Sequence, residues 1–247
     1  MNLSNKIPIA KIVGFHSPKT SGCTTIALNT AILHQSLYPT KKIALLQLTA
    51  FPDLHFQSGL EPIYDIGQLY DFLKTDEWTP SLLNKIKQNQ GCDLFFSPSF
   101  STWKNLSLDN FQHIFSLIAQ NYDLLYLDLH ASIPSSIQKL MHEKLNLLFL
   151  ISNIDPPSLN ATTIFWESFP NLQHKIKLIL NQCPKGRENE IKNRFLGTDI
   201  PLDTTFISDS KYLWHQIYEG FPIAFQKESK LKKQIISFIE ILESVGK

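Results

Sequence analysis

The sequence predicts a single α/β domain, a mostly parallel sheet of about seven strands with helices on both faces. Three observations predict it. Short apolar runs alternate along the chain with longer stretches of helical period. The runs are continuous rather than alternating, as strands covered on both faces require. The chain has 247 residues, 43% of them hydrophobic, enough for one sizeable core. No internal repeat, low-complexity tract or Pro/Gly/Ser-rich linker divides residues 1–247.

In order, Ile12–Phe15 reads as the first strand and Thr24–Ser36 as the helix after it. Ile43–Leu48 is the second apolar run. Helical patterns follow at Ile66–Thr75 and Thr79–Gln90, before a strand at Leu94–Ser97. Leu108–Asn121 precedes the strand Leu124–Leu129, and Ser135–Glu143 precedes the strand Leu147–Ser152. Ser158–Phe169 leads to the strand Lys177–Asn181, and Glu188–Phe195 to a weaker run, Thr205–Ile207. A last helix covers Ser229–Val245, with Leu231, Ile235, Phe238, Ile239 and Leu242 on one face. Ligand crevices of such sheets lie at the carboxyl ends of the strands. The proline-containing stretches Ser97–Ser99 and Ile154–Ser158 follow strands and are expected to line one.

Bulk properties exclude several classes. The formal net charge is +1, so nothing global points to nucleic acid or an anionic membrane. Cys23, Cys92 and Cys183 are far apart and odd in number, which gives neither a metal-ligand pair nor a disulfide framework. A reducing cytosolic compartment is the simplest reading. The first fifteen residues carry no apolar region of signal-peptide length, and no apolar stretch approaches the ~20 residues of a bilayer span. A soluble cytoplasmic protein is expected.

The informative stretch is "KIVGFHSPKTSGCTT", Lys11 to Thr25. A strand enters a polar turn that ends in a helix, the setting of a phosphate-binding loop, GxxxxGK(S/T). Such a loop binds anions through backbone N–H groups and a helix N-terminus. Its lysine reaches the outer phosphates and its Ser/Thr holds Mg²⁺. Gly22 and Thr24 are in register. Cys23 stands in the lysine's place, and a thiol supplies no charge. Ser17 replaces the first glycine. Taken alone, the stretch reads equally as a plain strand–turn–helix corner, with Thr24 or Ser21 capping the helix. Cys23 reads either as a thiolate favoured at a helix N-terminus or as a small residue tolerated there.

"SPKTSGCTTIALNTA" resembles the deviant phosphate loop of the ParA/MinD family of dimeric ATPases, KGGxGKTT. Lys19 is similar to that family's signature lysine, though the loop is one residue shorter between Lys19 and Gly22. "KKIALLQLTAFPDLHFQSGLEPIYDIGQLYDFL" resembles the pilus-assembly branch, the CpaE/TadZ proteins, most specifically at Gly59-Leu60-Glu61-Pro62. "GCDLFFSPSF", "SNIDPPSLNAT" and "YEGFPI" resemble later segments of the branch. "YDLLYLDLH" resembles its Walker B strand, and "LILNQC" a strand end with an adenine-contacting asparagine, Asn181. The receiver-like domain of many CpaE proteins is not found.

The resemblance implies a P-loop (Rossmann-like) fold and a homodimer with Mg-ATP or Mg-ADP between subunits. Lys19, Gly22, Cys23, Thr24, Thr25 and Asn181 would bind nucleotide. Thr24 and Asp128 would hold Mg²⁺, and Asp53 and Asp128 would be catalytic. The departures fall on catalysis: Cys23 at the lysine, Gln47 at the second strand's acid, and Thr49 where another aspartate is frequent. The expectation is therefore a pseudo-ATPase with nucleotide binding in doubt. It would act as a localisation or scaffold factor for a membrane-associated machine such as a pilus or secretion system, recruited to the inner face of the membrane or the cell pole. The alternatives are a divergent but active ATP-dependent dimerisation switch positioning a pilus, flagellum, septum or DNA, and a DNA-binding partition protein using Lys227, Lys230, Lys232 and Lys233. The last helix is expected to dock on the domain rather than on a membrane. His16 and His130 are expected to be ordinary loop histidines.

Overall fold

The structure is a computed structural model and describes residues 10–74, 80–187, 189–191 and 199–244. Its strands are β1 (Lys11–His16), β2 (Ile43–Leu48), β3 (Gln88–Asn89), β4 (Asp93–Phe95), β5 (Leu124–Leu129), β6 (Leu147–Asn153), β7 (Ile176–Cys183) and β8 (Leu202–Ile207). They form one sheet in the order β3-β4-β2-β5-β1-β6-β7-β8. Every pairing is parallel except that of β3 with β4. The seven expected strands are all present. The eighth, β3, was not legible, because two residues show no period. It replaces the end of the helix expected to run to Gln90, where the chain turns back through Gly91 at φ +84°.

The helices are α1 (Cys23–Leu37), α2 (Leu54–Ser58), α3 (Ile66–Lys74), α4 (Pro80–Ile86), α5 (Phe100–Asn105), α6 (Leu108–Ala119), α7 (Ser135–Lys144), α8 (Pro156–Ser168), α9 (Ser210–Glu219) and α10 (Lys230–Ser244). Helices α2, α5 and α9 were not expected. Most of the helix expected at Glu188–Phe195, and Val245 of the last one, lie outside the described residues, as do the first nine residues.

Strand side chains alternate between two cores. Ile12, Leu46, Leu125, Leu127 and Leu178 face one, with α6 and α7 over it. Val13, Phe15, Leu45, Tyr126 and Phe149 face the other, under α1 and α10. The period of two within a fully apolar run is the two-sided burial that the sequence implied. Helix α10 docks as expected: Leu231, Ile235, Phe238, Ile239 and Leu242 are buried in the second core. At ~1.5–3 kcal/mol per side chain, that face contributes roughly 7–15 kcal/mol as an upper estimate, which the domain loses if the helix leaves for a membrane. Its start is held by Asp209 Oδ2, which accepts from Ser229 Oγ at 2.7 Å and from the amides of Lys230 and Leu231. Near its end, Glu243 meets Lys41 and buried His34. Among the described residues no helix is long and apolar enough to cross a membrane.

Strand β1 lies between β5 and β6, with the early strands to one side of it and the late ones to the other. Its carboxyl end is therefore the switch point where a crevice opens.

Candidate functional site

The turn after β1 closes on Gly22, which has φ +81° and precedes the first residue of α1. Two constraints fix a glycine there. The left-handed backbone is one. The other is the amide of Asn181, whose Nδ2 would lie 2.7 Å from any Cβ. Asn181 Nδ2 donates to Ser21 O at 2.8 Å, tying the end of β7 to the loop. No side chain caps α1, so neither Thr24 nor Ser21 plays the capping part open to them in the sequence. The first turn of α1 carries no acid, and its amides face the crevice with the partial positive charge of a helix start.

Two carboxylates converge on this turn. Asp53, at the head of α2, accepts on Oδ1 from Gln47 Nε2 at 2.7 Å and Thr24 Oγ1 at 3.2 Å. Its Oδ2 accepts from Gln57 Nε2 at 3.0 Å. Asp128 lies beside Gln47 in the β2–β5 register and is 4% exposed. Burial and the neighbouring Asp53 push its carboxyl up to about 6, against hydrogen bonds from Thr24, Cys23 and Gln47 that pull the other way. Burial, with the charges of Asp128 and Asp53, drives the Cys23 thiol well above its ordinary range. The thiolate reading of Cys23 therefore fails: two nearby carboxylates outweigh the helix terminus.

Above this floor is a cavity of about 420 Å³. Ser21, Gly22, Cys23, Thr24, Thr25, Asp53, Asp128 and Asn181 line it, so the sequence-expected site comes together with one exception. Lys19 is not among the lining residues; it is exposed, and its carbonyl accepts from Ser17 Oγ. The rest of the lining includes Phe51, Gln57, His130, Leu213, Ile217 and Leu231, with no lysine or arginine. Neither proline stretch expected at the crevice reaches the cavity. Ser97 Oγ donates to Thr49 O, and Asp155 caps α8 through Ser158 N. His16 is buried on Phe165 and held neutral, its pKa lowered by burial to about 3. Its Nδ1 faces Leu129 O at 3.1 Å, so its role is structural, but it ends strand β1 and is buried where a loop histidine was expected. His130 sits at the cavity edge, bonded to Ser132 Oγ.

An amide relay leads away from the floor. Gln57 Oε1 accepts from Thr25 Oγ1 and from Gln216 Nε2. Gln216 Oε1 accepts from Asn29 Nδ2 at 2.7 Å and from the Ile223 amide, and Asn29 Oδ1 accepts from the Ala224 amide. These residues carry no motif, and the sequence does not flag them. Beside the relay, the left-handed glycines that end α2 and α9, Gly59 and Gly220, touch backbone to backbone. A Cβ on Gly59 would lie 2.4 Å from Gly220 O.

The fit of this site to a nucleotide is poor where the outer phosphates would lie. Two carboxylates form the floor, and among the described lining residues no lysine or arginine offsets them, which leaves the helix start, worth about half a charge. Thr24, Asp53 and Asp128 are the residues of a Mg²⁺ site in kind. Their oxygens are engaged by Gln47, Gln57 and Cys23. Among the described residues no group of three or more His, Cys, Asp or Glu side chains is disposed to hold a metal.

No family model and no curated protein matches the chain. Solved structures do, at the level of fold. A ParA family ATPase from Chlorobium tepidum TLS superposes with a TM-score of 0.79 at 22% identity, covering 93% of this chain and 98% of that one. MinD in the MinC:MinD cell division complex of Aquifex aeolicus gives 0.76 at 17% identity, over 95% and 96%. The septum site-determining protein MinD of Pyrococcus horikoshii OT3, complexed with Mg-ADP, gives 0.74 at 18%, over 96% and 98%. The chain has the ParA/MinD P-loop fold.

Proposed function

We propose that this chain keeps the ParA/MinD fold as a scaffold or localisation factor and has given up ATP turnover. The observation that carries the reading is the lining of the loop cavity: two carboxylates, a protonated thiol at Cys23, and, among the described residues, no lysine or arginine. Phosphoryl transfer needs positive charge on the transferring group. Here the nearest lysine in sequence, Lys19, is exposed beside the cavity instead of lining it. The motifs shared with the CpaE/TadZ branch suggest a pilus or secretion machine at the inner face of the membrane or the cell pole as the cargo, and a homodimer as the working form. Structural neighbours that determine the septum site or bind MinC support a positioning role.

A second reading is a divergent ATP switch. The convergence of Thr24, Asp53 and Asp128 at the head of α1 favours it. Calorimetric titration with Mg-ATP separates the two. The expected outcome is no submillimolar binding by the native chain, with affinity gained in Cys23→Lys, whose ammonium would neutralise the floor. Tight binding and turnover by the native chain would sink the scaffold reading.

A further inference from the structure

The cavity is mismatched to the anion that its loop suggests, and its side chains are matched to the opposite charge. We propose that it takes an organic cation, an ammonium or guanidinium group on an apolar stem. The inference rests on the reading of the site as one that no longer uses nucleotide.

The donor and acceptor inventory carries it. Asp53 and Asp128 receive hydrogen bonds from neutral groups only: Gln47, Gln57, Thr24 and Cys23. Those donors satisfy lone pairs without cancelling charge, and each carboxylate has about four acceptor positions to offer. A hydroxyl, able to accept from a cation as well as to donate, is idle. Ser21 lines the cavity at 2% exposure, and its Oγ has no hydrogen-bond partner. A polyphosphate brings acceptors only, so it meets two negative groups, with the Ser21 hydroxyl and the helix-start amides as its donors. An ammonium brings three donors and no acceptor, and a guanidinium five. Leu213, Ile217 and Leu231 supply an apolar wall for the stem. A bare metal ion is the poorer occupant, since no ligand group of three or more is disposed to hold one among the described residues. The volume is in the range of small-molecule sites.

The test compares n-butylguanidinium with n-butylurea, which share a shape and differ in charge. Binding is followed by calorimetry and by amide shifts on the native protein, with Mg-ATP as a third ligand. The guanidinium is expected to bind roughly tenfold or more tighter than the urea, and Asp53→Asn to reduce the difference, with Asp128 still charged. Ser21→Ala, which leaves every charge in place, is expected to weaken the cation by about threefold. Equal binding of urea and guanidinium, or no binding of either, overturns the inference. Submillimolar binding of Mg-ATP overturns the underlying reading instead. N-acetyl-arginine methylamide identifies the source. Binding as tight as that of butylguanidinium supports a partner's side chain, and weaker binding supports a free small molecule.

Discussion

At the residue scale, Asp128 is the group whose chemistry the fold changes most. Its carboxyl is raised from the ordinary 3.8 to about 6 by burial and by Asp53. The folded state thus holds a proton more tightly than the unfolded state. The stabilisation is full below about pH 4 and is lost as pH rises through about 6. Asp128→Asn has no such proton. Relative to the native chain, its stability is expected to gain progressively from about pH 4 to pH 7, by up to about 3 kcal/mol. Thermal melts across that range check it, and parallel curves for the two proteins would refute it. Gly22 and Thr24 were legible in the loop pattern after β1, and Asp53 and Asp128 through the resemblance to the ParA/MinD strands. Gln57, Gln216 and Asn29 were not. They bond across 159 and 187 residues, and an amide has no sequence pattern of its own.

At the element scale, the docked α10 is the feature with a measurable consequence. Phe238 packs edge-on against Phe149 at 4.9 Å and Phe206 at 5.9 Å. Phe238→Ala is expected to cost ~3–5 kcal/mol in the soluble protein, read by denaturant unfolding. A helix reserved for membrane would show almost no loss. The strands were legible because their apolar runs have no solvated face. Helices α2 and α5 have five and six residues, too few to display a period. Helix α9 is long enough, yet its apolar residues fall on both faces, with Tyr212 and Leu213 packed on the core. The residue it buries is Gln216, while Trp214, Ile217 and Tyr218 face outward. An apolar-in rule places such a helix wrongly or misses it.

For the whole molecule, exposed apolar side chains stand on the cavity lining and on α2 and α9, whose ends meet at Gly59 and Gly220. Phe51 in the lining is 70% exposed, Phe56 on α2 is 64% and Tyr218 on α9 is 71%. Exposed apolar side chains gathered on neighbouring elements favour an association surface. With the proposed homodimer, this face is the one expected to pair, without nucleotide. Phe56→Glu with Tyr218→Glu touches only exposed side chains and is expected to convert a dimer to a folded monomer in sedimentation. A native chain that is monomeric at about 50 μM, a concentration that saturates any micromolar dimer, would refute the pairing. The layers of this architecture follow from sequence pattern, but the order of the strands depends on which helices cross which face.

The contact between Gly59 and Gly220 sets the spacing of α2 and α9 by the thickness of the peptide chain itself. A joint between side chains has tolerance, since a larger residue on one side can be met by a smaller one on the other. This joint has none, because both members are already the smallest residue available. An enlargement at either position can only be relieved by parting the two helices, and the wall of the cavity parts with them.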